Sequence, residues 1–341
     1  MRWRYKNTIT VRAFVSRNDK QMLKRTVYKR QLSYALAFPG QGVIENGLLA
    51  NYSEYRSKLQ RTLDTVDASL NERFTENLFD TNPDFNREWL LKTSNAQPAI
   101  LVTSFVICKL MNKIFDLDIV HNASYLLGHS LGEYTALLLS GVLDLGTAVK
   151  LVRERGLLME KLITSDEYGM LALMFRSNNF DRILDEARNY IANINSYQQI
   201  VLSGKRSDLE NVVSSMNKKS KIVLKSVFLP VRIPFHSPMI RQIEPALTAL
   251  LPTANRPCVP IISNLYGEPS VECLQNTIAV NSRPVQWVKS IEYLIKNDTD
   301  TIINIGPGSS LAGFSSKFKI NTININSLDS IRAYGDFRRK K

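Results

Sequence analysis

The chain has 341 residues, 44 Lys/Arg against 31 Asp/Glu, a formal net charge of +13 and three cysteines. That length suits one large domain or two smaller ones, with apolar residues enough for a full core. Cys108, Cys258 and Cys273 are scattered without CxxC spacing, which argues against a disulfide framework or a zinc site. No apolar run approaches the roughly 18 residues that span a bilayer, so a soluble protein without a membrane span is expected.

The charge excess is concentrated at the start. Residues 1–34 hold ten Lys/Arg and a single acid, Asp19, and the remainder is close to balance. An Arg-rich, acid-poor leader with scattered apolar residues (Trp3, Tyr5, Ile9, Val11, Phe14) fits a mitochondrial transit peptide and lacks the apolar core of a secretory signal. A nucleic-acid-binding arm competes with this reading. The rest of the chain shows no basic-aromatic interleaving for RNA or DNA, which favours targeting to the matrix and no nucleic-acid partner.

After the leader, Tyr34–Phe38 is a short apolar run stopped by Pro39-Gly40-Gln41-Gly42, a buried strand and a glycine turn. Residues 51–70 have helical spacing, and a polar loop follows near 80–86. Ala99–Phe115 is largely apolar with Pro98 at its start, where a missing N–H costs little, which predicts a buried helix. Tyr125–Leu127 reads as a strand, and Leu131–Leu139 as a helix that Gly141 can end with φ > 0. Between them lies Gly128-His-Ser-Leu-Gly132. A strand turning sharply into a helix around a serine is a nucleophile elbow, in which Ser130 Oγ stands clear and the next N–H meets a developing oxyanion.

Thr147–Ile163 has an apolar stripe (Ala148, Leu151, Val152, Met159, Leu162) with Arg155 in its middle. A guanidinium facing a core is either a structural ion pair or a fixed cation for an anionic substrate, and spacing leaves both open. Residues 169–229 change rhythm: strand 170–175, helix 180–191, strand 199–203, helix 207–217 with a Ser207/Glu210 capping box, strand 222–229. That order, with one strand unresolved, predicts an inserted ferredoxin-like unit. Helices near 239–251 and 285–296, strands at 260–264 and 301–305, and the turn Gly306-Pro-Gly308 before a helix at Ser310 complete the chain. Strands alternating with helices give an α/β class with a largely parallel sheet. The Gly306–Gly308 turn lacks the third glycine of a dinucleotide fingerprint and is taken as a tight strand-to-helix connection.

A serine nucleophile needs a base. Of the three histidines, His129 adjoins Ser130 and should point away from it, and His121 lies in a polar loop. His236, between Pro234 and Pro238, is the candidate, with a buried structural histidine as the alternative. No Asp or Glu lies close to it in sequence until Glu244.

Taken together, Phe38-Pro-Gly-Gln-Gly42, Asn95-Ala-Gln-Pro98, Gly128-His-Ser-Leu-Gly-Glu-Tyr134, Arg155-Gly156, Asn193-Ile-Asn-Ser196, Pro234-Phe-His236, Pro284-Val-Gln-Trp287 and Ile305-Gly-Pro-Gly308 closely resemble the malonyl-CoA:acyl-carrier-protein transacylase family. With the leader, they resemble its mitochondrial, fungal type. The resemblance runs from about Leu36 to Asn326. It implies an α/β-hydrolase-like large subdomain (35–165 and 232–330) with a parallel sheet and an inserted ferredoxin-like small subdomain (166–231), leaving 331–341 as a basic tail. It implies Ser130 as nucleophile and His236 as general base, oriented by the main-chain carbonyl of Gln286. The N–H groups of Gln41 and Leu131 would form the oxyanion hole, and Arg155 would bind the malonyl carboxylate bidentately. Gln97 and Asn195 would line the pocket, and Phe235 and Leu131 look like the malonyl-accepting version. The implied substrates are malonyl-CoA and phosphopantetheinylated acyl carrier protein, with no metal or prosthetic group, on a monomer serving mitochondrial fatty acid synthesis. Val43 and Tyr197-Gln198 depart from the family pattern at the pocket rim.

A serine esterase or thioesterase of the α/β-hydrolase type is the alternative. It needs an acid between Ser130 and His236, and Asp185 and Asp208 are the candidates although both fall on predicted helices. A non-catalytic basic binding protein would form no acyl-enzyme at all.

Overall fold

The computed structural model describes residues 33–42, 47–82, 88–218, 220–253 and 255–339, and among these nine strands and twelve α-helices frame the site. Most of the leader and Val43 lie outside the described residues. The strands are β1 (Tyr34–Phe38), β2 (Tyr125–Gly128), β3 (Tyr168–Phe175), β4 (Ile191–Ser196), β5 (Gln199–Lys205), β6 (Val223–Phe228), β7 (Ile261–Ile262), β8 (Thr301–Ile305) and β9 (Asn321–Ile325). The helices are α1 (Arg56–Leu70), α2 (Phe74–Phe79), α3 (Thr93–Phe115), α4 (Leu131–Leu139), α5 (Leu145–Leu162) and α6 (Phe180–Ala187). They continue with α7 (Arg206–Asn217), α8 (Glu244–Ala249), α9 (Cys273–Ala279), α10 (Trp287–Lys296), α11 (Ser310–Ser315) and α12 (Leu328–Arg339).

The large sheet runs β7-β2-β1-β8-β9, every pair parallel. Its central strands β1 and β8 are buried at every position, as expected of a parallel sheet covered on both faces. Successive side chains divide between two cores. Leu36, Phe38, Ile303 and Ile305 join the cluster under α3, α4 and α5. Ala35, Ala37 and Ile302 meet Trp287, Ile291 and Leu294 of α10 on the other face. β1 also takes in Tyr34, assigned above to the leader: the side chain is 2 % exposed and its hydroxyl donates to Ile119 O at 2.8 Å.

The small sheet is antiparallel, in the order β4-β5-β3-β6. With α6 and α7 this is the ferredoxin-like βαββαβ arrangement. The strand missing from the sequence reading is β4, which follows once α6 stops at Ala187 rather than Ile191. Asn193 and Asn195 hid its apolar period because they are buried polar residues of a cavity wall. The predicted capping box does not form. α7 begins at Arg206, which leaves Ser207 inside the helix with its hydroxyl on Asp208 at 3.4 Å.

α3 starts six residues before the predicted Ala99, so Pro98 lies within the helix. The carbonyl that Pro98 cannot use, Ser94 O, accepts from Arg153 Nη1 at 2.9 Å, and Glu160 takes the Ser94 N–H at 2.8 Å. These external partners replace what a proline normally removes. α3 is long and apolar enough by composition to cross a membrane, contrary to the expectation that no segment is, yet 67 % of its most apolar window is buried inside the fold. Gly156 draws α5 onto it, since a Cβ there would stand 2.4 Å from Ser94 Cα. The segment 331–341, read above as a basic tail, begins inside α12, which buries Ile331 and Tyr334 in the large core.

Candidate active site

The carboxyl ends of β2, β1 and β8, neighbours in the sheet, each break into a glycine turn, where ligands of open parallel sheets collect. At the end of β2, Ser130 has φ 53° and ψ −108°, a strained backbone that a nucleophile elbow requires. Its two glycines are there for contact: a Cβ on Gly128 would lie 1.9 Å from Gly132 C, and one on Gly132 would lie 2.0 Å from Phe38 O. Leu131 opens α4, so its N–H is among those the helix leaves uncommitted. Gln41, in the turn after β1, lines the same cavity as Ser130.

His236 is 2 % exposed and has φ 59°. Its Nε2 lies 2.7 Å from Ser130 Oγ, and its Nδ1 lies 2.8 Å from Val280 O. That pairing makes Nδ1–H the donor and leaves the Nε2 lone pair for the serine hydroxyl. The orienting carbonyl is therefore that of Val280, and the expectation for Gln286 is corrected. As the N-cap of α10, Gln286 turns its carbonyl into its own helix, where it accepts from Ser290 N–H at 3.0 Å. Val280 opens a short turn after α9, and its carbonyl, which also accepts from Arg283 N–H at 3.2 Å, has a second lone pair for the imidazole. Burial, and next the charge of Arg155, push the His236 pKa down to about 3. It is a neutral base.

Neither acid of the hydrolase reading reaches His236. Asp185 is exposed on α6 beside Arg188 at 3.5 Å, and Asp208 is on α7 of the small subdomain. His121 is exposed and pairs with Asp118 at 3.1 Å.

Arg155 lines the cavity and is 3 % exposed. Its Nε donates to Asn281 Oδ1 at 2.8 Å, and its guanidinium lies 5.5 Å from the Tyr134 ring centre. Asn281 is held in turn by its own Nδ2 on Ile278 O at 2.8 Å. Among the described residues no carboxylate stands within 4 Å of Arg155 to form an ion pair. Glu133 contributes its field, but burial raises that carboxyl to about 8, so it is a weak counter-charge near neutral pH. The structural ion pair is thus absent, and a buried cation faces the cavity. Sequence reasoning missed Asn281; a lone Asn after a helix gives no signal.

Asn195 lines the cavity as expected and lies 2.9 Å from His129 Nε2. The His129 ring, turned from Ser130, packs on Trp287 at 5.5 Å and Phe314 at 5.8 Å, and burial lowers its pKa. Phe235 is on the wall beside His236. Gln97 is not. It is fully buried on α3 with Nε2 3.7 Å from Met159 Sδ, because the close approach at Gly156 turns this face of α3 toward α5. The turn Gly306-Pro-Gly308, read above as a mere connection, lines the cavity. A Cβ on Gly306 would meet Ser104 Oγ at 2.4 Å and Pro39 at 2.6 Å. Tyr197 is 38 % exposed, bonds through its hydroxyl to Glu292, and meets Phe180 edge-on with ring centres 4.9 Å apart.

Residues 36–319 match the acyl transferase domain family. The malonyl CoA-acyl carrier protein transacylase of Escherichia coli strain K12 is 27 % identical over 310 residues, 87 % of this chain and 96 % of that protein. A polyketide biosynthesis malonyl CoA-acyl carrier protein transacylase of Bacillus subtilis is 30 % identical over 295 residues, 83 % of this chain and 96 % of its own. Among solved structures, the acyl-carrier-protein S-malonyltransferase of Bartonella henselae superposes with a TM-score of 0.78 at 28 % identity, covering 90 % of this chain and 99 % of that one. That of Vibrio cholerae gives 0.77 at 26 % identity, covering 89 % and 99 %. Elbow, histidine and buried arginine fall within the matched span, and the chain belongs to the acyl transferase family, among the malonyl CoA-acyl carrier protein transacylases.

Proposed function

We propose that this chain moves a malonyl group from malonyl-CoA to the phosphopantetheine thiol of acyl carrier protein through a malonyl-Ser130 ester. The observation that carries the proposal is a neutral Ser130–His236 pair sharing one cavity with a buried arginine that has no carboxylate partner among the described residues. The malonyl carboxylate supplies that partner on Arg155, a planar fork suited to bidentate pairing. His236 takes the Ser130 proton as Oγ attacks the thioester. The N–H groups of Leu131 and Gln41 receive the oxyanion. His236 then protonates the leaving CoA thiolate. The carrier thiol repeats the attack on the ester, with His236 again the base, so two substrates are processed in ping-pong order. These steps use side chains and backbone of this chain and call for no metal or prosthetic group.

The reading extends to place. The basic, acid-poor leader supports import into the mitochondrial matrix and a role in fatty acid synthesis there, with the chain working as a monomer. A fluorescent fusion carrying residues 1–34 tests the destination: fluorescence spread through the cytosol sinks it. Sedimentation of the purified chain tests the monomer.

For the chemistry, the full chain is incubated with malonyl-CoA or acetyl-CoA and weighed intact. A malonyl adduct on Ser130, absent in Ser130→Ala, scarce with acetyl-CoA and discharged by holo-carrier protein supports transfer. An adduct from either donor that decays into water points to a hydrolase instead.

A further inference from the structure

The ladder between β7 and β2 ends at Leu127↔Ile262, one residue before Gly128 and the elbow. Asn264, two residues past β7 and 1 % exposed, continues it with a side chain. Its Nδ2 donates to Gly128 O at 2.5 Å, and its Oδ1 accepts from Ser130 N–H at 2.8 Å. In a parallel ladder, a residue's N–H and C=O bond to the residues on either side of its partner in the neighbouring strand. The Asn264 amide makes that same pair of bonds around His129. It is a rung built from a side chain, placed where the main chain of the neighbour has turned away.

The rung is itself fixed at both ends of its backbone. Asn264 N–H donates to Glu133 Oε1 at 3.3 Å, and Asn264 O accepts from Gln286 N–H at 2.8 Å. Glu133 is fully buried on the first turn of α4, so the acceptor that holds Asn264 belongs to the helix that Ser130 opens. We infer that Asn264 is a positioning residue for acyl transfer, its amide clamping the strained elbow so that Ser130 Oγ meets His236 and the Leu131 N–H faces the developing oxyanion. The inference rests on Ser130 being the nucleophile. Without the clamp, the positive φ of Ser130 has no partner on its own N–H, and a strained conformation persists only where its surroundings over-determine it.

The test is single-turnover acylation of the full chain by malonyl-CoA, giving a limiting rate and a half-saturation. Asn264→Asp keeps the shape. Above its pKa the carboxylate still accepts from Ser130 N–H but cannot donate to Gly128 O, and its charge opposes the oxyanion. Once protonated it donates again. The titratable and charged groups around it are Glu133, His129, His236 and Arg155, and the wild type measured at each pH is the reference for their own titration. Expected at pH 8 is a limiting rate lower on the order of 10²-fold, the cost of a small misplacement at the reacting centre, with half-saturation little changed. By pH 5 the ratio to wild type recovers about tenfold, while Asn264→Ala, which lacks both bonds, is slow at either pH without recovery. Near-ultraviolet circular dichroism confirms folding, and Asn264→Ala decides if Asn264→Asp does not fold. Variants acylating as fast as wild type, or a loss confined to half-saturation, overturn the assignment. So does a folded Asn264→Asp whose ratio is flat with pH. A wild-type chain that takes up no malonyl group overturns the transacylase reading itself.

Discussion

Arg155→Met separates charge recognition from the rest of the machinery. The methionine keeps an unbranched apolar stem on α5, so packing against the Tyr134 side is largely preserved and only the guanidinium is lost. Arg155 sits 3 % exposed, and Asn281 claims its Nε alone, leaving the terminal nitrogens for a substrate carboxylate. Removing one partner of a buried ion pair costs about 3–5 kcal/mol because the other charge is stranded. Malonyl-CoA should therefore acylate Ser130 slower by about 10²- to 10⁴-fold, at 1.36 kcal/mol per factor of ten. Acetyl-CoA, which strands the arginine in the wild type, should gain, so the malonyl-to-acetyl ratio collapses from both sides. The same charge is the second cause of the low His236 pKa. Its loss moves the acidic limb of the acylation rate to higher pH, which burial still keeps below the ordinary imidazole value. Quench-flow with intact-mass detection measures both donors across pH. A malonyl-to-acetyl ratio that moves by less than about tenfold would refute Arg155 as the carboxylate site.

With His236 held at about 3 in the free protein, kcat/KM for malonyl-CoA should show no acidic limb near 6.5. A carboxylate on Arg155 relieves part of that depression, so the limb in kcat should lie at higher pH than the limb in kcat/KM. The unfolded chain protonates this imidazole first, so the stability it contributes is present above about pH 6.5 and declines toward pH 3, which pH-dependent melting reads. Glu133 has the opposite sign: raised from 4.5 to about 8, its contribution is lost as pH rises through that window. Glu133→Gln keeps an acceptor for Asn264 N–H without titrating, so its Tm relative to wild type should rise between about pH 4.5 and 8; a fall would make Glu133 the working counter-ion of Arg155. Gly156→Ala places a methyl group 2.4 Å from Ser94 Cα and should cost about 1–3 kcal/mol by forcing α3 from α5, measurable by urea unfolding.

The sequence carried the nucleophile because an elbow demands particular residues. Gly128 and Gly132 leave no room for a Cβ, so the Gly-x-Ser-x-Gly pattern is a steric signature. His236 was reachable because few histidines compete. The failures share a different cause. Val280 contributes only a carbonyl, which every residue has, so assigning that role to Gln286 from a motif had no chemistry to correct it. Gln97 sits in a legible motif, yet whether it faces the cavity or Met159 depends on how closely α3 and α5 approach, a tertiary quantity. β4 was hidden because its buried positions include Asn193 and Asn195, polar for the sake of the cavity rather than the core. α12 was mistaken for a tail because its apolar residues are few and its last turn carries Arg338 and Arg339, although Ile331 and Tyr334 anchor it.

The three turns at the carboxyl edge of the sheet are mutually seated, and this explains why the chemistry-bearing residues are so far apart in sequence. Gly132, after the serine, lies against Phe38 O of β1, and Gly40 lies against His129 O. Gly306, after β8, lies against Pro39. Each turn is thus one wall of its neighbour's mould, and the cavity between them inherits its shape from backbone contact rather than from adjustable side chains. Interiors at this packing density yield little, so a Cβ in any of the three turns must displace another. Gly132→Ala and Gly306→Ala, 174 residues apart by their numbers, disturb the same arrangement of Ser130, Gln41 and the Gly306–Gly308 wall. Arg155 and His236, on elements outside these turns, reach the cavity with side chains. Substrate charge and proton transfer are therefore set by residues that can be exchanged singly, whereas the place of attack is set by a backbone assembly that cannot.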